Sequence, residues 1–243
     1  MLSGLNSKNT LSAGIDYNQR LFSKGLRKWL HLSRFYWLER RVKLLPSVPE
    51  NVLEIGCYDG RSLEYLTTLP KEYLGYDADW EEALSLARQR WSGHDNLKFC
   101  KSTLPEHFVC KENHYDIAIG LETLEHITPD DLDEYLKKIH LALKTGGTFF
   151  VSVPVEIGPV FAVKQILKWV FIGDADKYSF KEYCCQIFGM VDHVKRMDHK
   201  GFSYRRLKKQ LKRHFQVETV EGIPMNLLPP YVNFGCGIVC RKV

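Results

Sequence analysis

Residues 51–60 decide the fold and read Asn-Val-Leu-Glu-Ile-Gly-Cys-Tyr-Asp-Gly. An apolar strand that runs into a glycine turn and then a helix is typical of nucleotide sites in doubly wound α/β proteins. Glycines in such a turn allow the backbone to approach a ligand closely. A pyrophosphate prefers a helix N-terminus without nearby negative charge, whereas Glu54 and Asp59 place two carboxylates here. The turn therefore favours a cationic ligand.

The pattern around this turn predicts a parallel sheet, because apolar runs alternate with helical patterns between residues 51 and 153. We predict strands near residues 52–55, 73–76, 97–100, 117–120 and 148–153, and two closing strands near 216–220 and 237–241. We predict helices over 61–68, 81–91, 129–143 and 203–215, one or two helices over 18–45, and mixed helical and irregular structure over 154–190.

The helix predicted over 129–143 has the clearest boundaries. Thr128 is a good N-cap and Pro129 suits the first turn. Acidic residues follow in that turn, where the helix dipole favours negative charge. We expect the helix to stop at Lys144-Thr145-Gly146-Gly147, which is a cation followed by a C-terminal glycine signal.

Composition indicates one globular domain. The chain has 243 residues, of which 44% are hydrophobic and 26% charged. It contains no apolar run of membrane-spanning length, and residues 1–10 lack the apolar core of a signal peptide. The seven cysteines are an odd set without CxxC spacing, which argues against a disulfide framework and a zinc site. We therefore predict a cytoplasmic protein with no metal site.

The net charge of +5 conceals an acidic middle between two basic flanks. Residues 1–50 carry +6, residues 51–189 carry −8 and residues 190–243 carry +7. The middle suits a cationic cofactor, whereas the flanks suit an anionic partner or only solvent. The flanks therefore leave open a small-molecule substrate that is anionic or lipid-linked, and peripheral contact with an anionic membrane surface.

Four stretches together resemble the class I S-adenosylmethionine-dependent methyltransferases. They are VLEIGCYDG at 52–60, LGYDAD at 74–79, YDIAIGLETLEHI at 115–127 and LKTGGTFFVSVP at 143–154. The likeness is greatest to the group that contains quinone-biosynthesis and other small-molecule methyltransferases. It implies a three-layer, Rossmann-like α/β fold with a mostly parallel seven-stranded sheet whose last strand is antiparallel.

The resemblance also implies a division of the single methyltransferase domain, 1–243, into four parts. Residues 1–50 would form an N-terminal helical lid and residues 51–153 the cofactor-binding core. Residues 154–215 would be a substrate-covering helical insertion, and residues 216–243 the closing strands.

Roles in binding S-adenosyl-L-methionine follow from the same resemblance. Gly56 would let the methionine part of the cofactor lie against backbone, and Glu54 would hold the loop near the cofactor's amino group. Asp77 would accept hydrogen bonds from both ribose hydroxyls, which agrees with its distance of 17 residues from Gly60. The predicted cofactor-binding residues are Glu54, Gly56, Cys57, Tyr58, Gly60, Asp77, Ala78, Ser102, Leu121 and Glu122.

Two positions depart from the family pattern. Tyr58 stands where the family loop usually has glycine, so its side chain must turn away from the ligand or narrow the pocket. After the third strand the family often has an acid that reads the adenine amino group, but this chain has Lys101-Ser102-Thr103. The adenine contacts are therefore open, with Ser102 as the candidate.

Methyl transfer from a sulfonium depends mainly on positioning and on exclusion of water. A general base is needed only if the acceptor must lose a proton. The candidate catalytic residues are His126, His193 and His199. If residues 122–126 are helical, Glu122 and His126 share a face, and His126 is then also explained as a structural histidine held by Glu122.

These observations predict an enzyme that methylates a small molecule, with oxygen as the expected acceptor atom. Three alternatives stay open: a methyltransferase acting on tRNA or another nucleic acid, an NAD-dependent dehydrogenase, and a non-catalytic relative. Nothing resembles an appended RNA-binding module, so we do not expect nucleic acid as partner, and the glycine pattern lacks G-x-G-x-x-G. The sequence does not indicate an oligomeric state.

Overall fold

The computed structural model describes residues 25–172, 178–195 and 200–243. Predictions that fall on other residues lie outside the described residues. They include His199 and the beginning of the helical segment expected over 18–45. The division into lid, core, insertion and closing strands stays a prediction.

Seven strands form one sheet in the order β3-β2-β1-β4-β5-β7-β6. β1 to β5 run parallel, and β7 lies antiparallel between β5 and β6. The predicted fold class is therefore confirmed. The strands are β1 (Asn51–Ile55), β2 (Glu72–Asp77), β3 (Leu97–Lys101), β4 (Tyr115–Leu121), β5 (Leu143–Pro154), β6 (Gln216–Ile223) and β7 (Gly235–Arg241).

Six α-helices lie within the described residues, and the sheet separates two apolar cores. They are α1 (Gly25–Val42), α2 (Ala83–Arg90), α3 (Pro129–Ala142), α4 (Pro159–Ile172), α5 (Phe180–Ile187) and α6 (Tyr204–His214). Residues of α1 and α2 pack in one core, and residues of α3 and α6 pack in the other. Alternation along β1 serves both, since Val52 points to the first core and Leu53 to the second.

α3 begins as predicted but ends differently. The Thr128 hydroxyl accepts a hydrogen bond from the Asp131 N–H at 3.3 Å, and Pro129 occupies the first turn. The predicted glycine stop is wrong, because the helix ends at Ala142 and Leu143 is already extended. Leu143 pairs with Tyr115 of β4, so it is the first residue of β5, and the glycines lie within that strand rather than at the helix end.

Two shorter helices also differ from prediction. Residues 61–65 form a 3₁₀ helix rather than a helix to residue 68, consistent with the β-branched Thr67 and Thr68 and the following Leu69-Pro70. α2 begins at Ala83 because Glu81 and Glu82 have left-handed φ values of 55° and 57°.

All seven cysteines are free thiols. Among the described helices, none combines the length and apolar character needed to cross a membrane.

Candidate active site

A cavity of about 810 Å³ opens at the carboxyl ends of β1, β2 and β4. The strand order places β1 beside β4, with β2 and β3 on one side and β5 on the other. Successive strands are therefore added on one side of β1 up to β3 and on its other side from β4 onward, and open α/β sheets bind ligands where the strand order reverses in this way. α1 contributes to the wall of this cavity through His31, Arg34 and Phe35.

Most of the residues that the sequence singles out meet at this cavity. Its lining includes Glu54, Gly56, Cys57, Tyr58, Asp77, Ala78, Ser102, Leu121, Glu122 and His126. Gly60 and His193 are not among the lining residues. The N–H of Gly60 donates to the Cys57 carbonyl at 2.8 Å and its own carbonyl accepts from Trp91 Nε1 at 3.2 Å. His193 is exposed and ends a 3₁₀ turn after α5.

The glycine turn is held by backbone conformation and by close packing. Gly56 has a φ of 74°, and a Cβ added there would lie 1.8 Å from the Thr123 hydroxyl oxygen. Gly56 is thus required by its neighbour as well as by its conformation. Tyr58, where the family usually has glycine, has a φ of 44° and lines the cavity, so it narrows the pocket.

Glu54 is a buried acid with two hydroxyl partners. It is 2% exposed and accepts hydrogen bonds from Ser62 Oγ and, at 2.5 Å, from Tyr73 Oη. Burial raises the pKa of Glu54 to about 7, and the hydroxyl partners oppose that shift only in part. Near neutral pH a substantial fraction of Glu54 is therefore uncharged.

Asp77 organises the loop at the end of β2. Its Oδ2 accepts from the Tyr58 N–H at 3.0 Å and its Oδ1 from the Asp79 N–H at 2.8 Å. Burial raises the pKa of Asp77, against these hydrogen bonds. The carboxylate joins the β1 and β2 loops while it faces the cavity, which fixes its orientation toward a ligand.

The charge expected from Asp59 is compensated. Asp59 is 3% exposed and forms ion pairs with Arg61 at 3.2 Å and with Arg90 of α2 at 3.0 Å. Asp59 therefore contributes less negative charge to the turn than its place in the sequence indicates. Asp59 is a structural anchor, and Glu54 titrates near neutrality.

The end of β4 is backbone-strained. Glu122 has a φ of 52° and accepts from the Ser152 hydroxyl at 3.3 Å. Residues 124–126 form a 3₁₀ turn that places the His126 ring edge-on to Trp80, with 5.9 Å between the ring centroids. This turn is not the α-helix that would put Glu122 and His126 on one face, and the Glu125 carboxylate lies 3.8 Å from His126 Nε2.

The sequence analysis predicted an N-terminal helical lid but did not single out the α1 residues that line the cavity. His31, Arg34 and Phe35 have the i, i+3, i+4 spacing that puts side chains on one side of a helix. Arg34 Nη1 lies 3.4 Å from His31 Nδ1, and its guanidinium carbon lies 5.0 Å from the centre of the Phe35 ring. Within the described ranges Arg34 makes no ion pair, whereas Arg40 and Arg41 of the same helix both pair with Glu221.

Two further lining residues were also missed. Tyr135 of α3 is 5% exposed, and its hydroxyl lies 3.3 Å from Ser102 Oγ. Glu125 is 1% exposed, and burial raises its pKa well above the usual value. The helical spacing of α1 was visible in the sequence, but the partnership of Ser102 with Tyr135, 33 residues apart, was not.

Known proteins resemble this chain in sequence and in fold. A ubiquinone biosynthesis O-methyltransferase of Bradyrhizobium sp. (strain ORS 278) is 26% identical over 124 residues, which are 49% of this chain and 47% of that protein. The chain thus spans about half the length of this relative.

Two solved structures share the fold. The PH0226 protein of Pyrococcus horikoshii OT3 has a TM-score of 0.61 at 15% identity, covering 95% of this chain and 100% of that one. A 1,6-didemethyltoxoflavin-N1-methyltransferase of Burkholderia thailandensis, solved with 1,6-didemethyltoxoflavin and S-adenosylhomocysteine, has a TM-score of 0.55 at 19% identity, covering 86% of this chain and 76% of that one.

A family model described as a methyltransferase domain matches residues 29–207, nearly three quarters of the chain. The match extends from the cavity-facing part of α1 to the first turn of α6, and so includes every strand end at the cavity. The chain belongs to the class I S-adenosylmethionine-dependent methyltransferase family.

Proposed function

We propose that this protein transfers a methyl group from S-adenosylmethionine to an oxygen atom of a small-molecule acceptor. The observation that carries the proposal is the single cavity that reaches from Glu54 and Asp77 at the strand ends to Arg34 on α1. Its volume of about 810 Å³ is near the upper end of the roughly 300–1,000 Å³ range of small-molecule pockets. A cavity of this volume is large enough to hold a donor and an acceptor together.

The charges around the cavity suit the donor. Its methionine end carries an ammonium and a carboxylate, and Glu54 and Arg34 offer the two opposite charges. Asp77, already oriented by two backbone N–H groups, suits the ribose hydroxyls. Gly56 presents backbone to the cavity, and the Thr123 side chain fills the space that a Cβ there would need.

When bound, S-adenosylmethionine supplies an electrophilic methyl group on a positively charged sulfur. Glu122 and Leu121 then lie at the end of β4 where the acceptor would approach. His126 is the candidate base for an acceptor hydroxyl proton, since it lines the cavity and Trp80 fixes its ring edge-on. His193 stands outside the cavity lining and is a weaker candidate.

Calorimetric titration with S-adenosylhomocysteine tests the donor half of the proposal. The ligand should bind, whereas NAD should not, and Asp77→Ala should abolish binding. Thermal unfolding gives a second readout, because a ligand at a hundred times its Kd adds about 2.7 kcal/mol of stability. Transfer of labelled methyl from S-adenosylmethionine into a fractionated metabolite extract would then identify the acceptor. Absence of both binding and transfer would leave only a shared fold.

The finer proposal is that the acceptor is anionic or lipid-linked and is collected at an anionic membrane surface. α6 carries five exposed cations, and we call them the α6 basic face: Arg205, Arg206, Lys209, Lys212 and Arg213. Arg206 pairs with Asp192 in the turn after α5, which brings α6 beside the exposed Phe188 and Met190. Exposed apolar side chains next to cations are the combination used by interfacial protein surfaces.

Co-sedimentation with vesicles tests this finer proposal. The protein should bind vesicles containing phosphatidylglycerol and not vesicles of phosphatidylcholine alone, and salt should weaken binding. The double variant Lys209→Glu/Lys212→Glu should abolish sedimentation. Lys98→Glu is the control, because it reverses a lysine charge in the same way at an exposed site on β3, outside the α6 basic face. Retention on RNA with steep salt dependence and no vesicle binding would instead favour a nucleic-acid substrate.

A further inference from the structure

The end of β3 closes one side of the cavity with hydroxyl groups. Ser102 and Thr103 follow the strand, and Tyr135 reaches the same place from α3. The Ser102 N–H donates to the Asp77 carbonyl at 2.8 Å, so the β3 end is fixed directly beside the carboxylate proposed for the ribose. With the ribose at Asp77 and the methionine at Gly56, the purine lies on the β3 side because the strand order is β3-β2-β1.

The hydrogen atoms of this hydroxyl pair are not equivalent. Ser102 Oγ donates to the Leu104 carbonyl at 3.1 Å, so its hydrogen is already used and its lone pairs accept. Tyr135 Oη lies 3.3 Å from Ser102 Oγ, and no second hydrogen-bond partner of that hydroxyl is found in the described part of the chain. Tyr135 can therefore keep its hydrogen on Ser102 or turn it toward a ligand.

We propose that Ser102 and Tyr135 read position 6 of the purine as an adaptable hydroxyl pair, which accepts from an amino group and donates to an oxo group. An acid at this place would only accept, and would reject an oxo group. The inference rests on the proposed function, since it presumes an adenosyl ligand in this cavity. It makes the donor site tolerant at a position where a carboxylate would be selective.

The test compares S-adenosylhomocysteine with S-inosylhomocysteine, whose purine carries oxygen at position 6, by calorimetric titration. The wild type should bind both, with Kd values within about 100-fold of each other. Tyr135→Phe removes the hydrogen that is free to turn, and should weaken S-inosylhomocysteine by about tenfold more than S-adenosylhomocysteine. Ser102→Asp should increase the preference for S-adenosylhomocysteine by at least about tenfold.

Tyr76→Phe is the matched control. Tyr76 also lines the cavity, but its hydroxyl is committed to the Val109 carbonyl. The change should therefore affect both ligands by the same factor. If Ser102→Asp fails to fold because the site is buried, Tyr135→Phe carries the test alone.

The outcomes separate the two proposals. Wild-type rejection of S-inosylhomocysteine by more than about 100-fold, or an equal effect of Tyr135→Phe on both ligands, overturns the hydroxyl-pair inference and leaves the methyltransferase proposal standing. Failure of S-adenosylhomocysteine itself to bind the wild type overturns both. Selective loss of the oxo ligand in Tyr135→Phe, with no selective loss in Tyr76→Phe, supports the inference.

Discussion

Glu54→Gln should remove a pH-dependent part of the folding stability. The pKa of the Glu54 carboxyl is raised from 4.5 to about 7 in the folded chain. The folded state therefore holds this proton more tightly than the unfolded state. The resulting stabilisation is complete below the unfolded value and is lost as the pH rises through 7. The interval between the two values corresponds to roughly 3 kcal/mol.

The measurement is chemical unfolding of wild type and variant between pH 5 and 8, monitored by tryptophan fluorescence. Glutamine is neutral at every pH, so the variant lacks this contribution. The unfolding free energy of Glu54→Gln minus that of wild type should rise by roughly 2–3 kcal/mol across this range. Subtraction cancels groups that titrate alike in both proteins. Any pH-independent cost of altering the hydrogen bonds to Ser62 and Tyr73 does not affect the change in this difference between pH 5 and 8.

Glu106→Gln, at an exposed position, is the control for removing one carboxylate from the surface. The stability difference between Glu106→Gln and wild type should change by much less than 2 kcal/mol across the range, because surface charge contributes little. A flat difference for Glu54→Gln would refute the reasoning, since it would mean that the buried carboxyl titrates alike in the folded and unfolded chains. A difference of the opposite sign would mean that the folded site favours the charged form.

Three further predictions concern the cavity. S-adenosylhomocysteine affinity should fall by up to about tenfold per pH unit below 7, because the ligand ammonium needs ionised Glu54, and calorimetry of Glu54→Gln should show the dependence lost. Gly56→Ala should lower the melting temperature far more than Gly146→Ala: both have left-handed φ values, but only at Gly56 does the added methyl meet a threonine oxygen, at 1.8 Å. Arg34→Gln should weaken S-adenosylhomocysteine by about tenfold, and Arg40→Gln, an arginine of the same helix that pairs with Glu221, by less than about twofold; equal effects would place no ligand charge at Arg34.

The centre of the sheet was predictable because β1 and β4 are short, mostly apolar and buried strands. Buried parallel strands need continuous apolar runs, and those runs are visible in the sequence. The glycine turn and the acid at the end of β2 predicted the location of the cavity. Helix ends were less predictable, since Leu143 pairs with Tyr115 of β4 instead of continuing α3. No local sequence signal indicates that strand pairing prevails over the helix at this residue.

The electrostatics of the site were not predictable from the sequence. The negative charge of Asp59 is compensated by an ion pair with Arg90, a partner 31 residues away. Glu54 titrates near neutrality because it is buried against Ser62 and Tyr73. A charge count over residues 51–189 treats these acids as equal, whereas burial and partners make them different. Spacing predicts which side chains meet, but their protonation depends on contacts between distant parts of the chain.

The cavity collects features that cost folding free energy, and this links stability to ligand binding. Tyr58 and Glu122 hold left-handed backbone conformations, at about 1 kcal/mol each, and Glu54 is an acid in a buried place. Neighbouring hydrogen bonds hold these groups in position: Asp77 accepts from the Tyr58 N–H, and Ser152 donates to Glu122. A ligand ammonium opposite Glu54 would recover part of the desolvation cost, because an adjacent cation favours the ionised carboxyl. The site is therefore less stable in the ligand-free protein than with the donor bound. Ionisation of Glu54 as the pH rises through 7 lowers the free energy of unfolding, and the same ionised carboxyl strengthens donor binding.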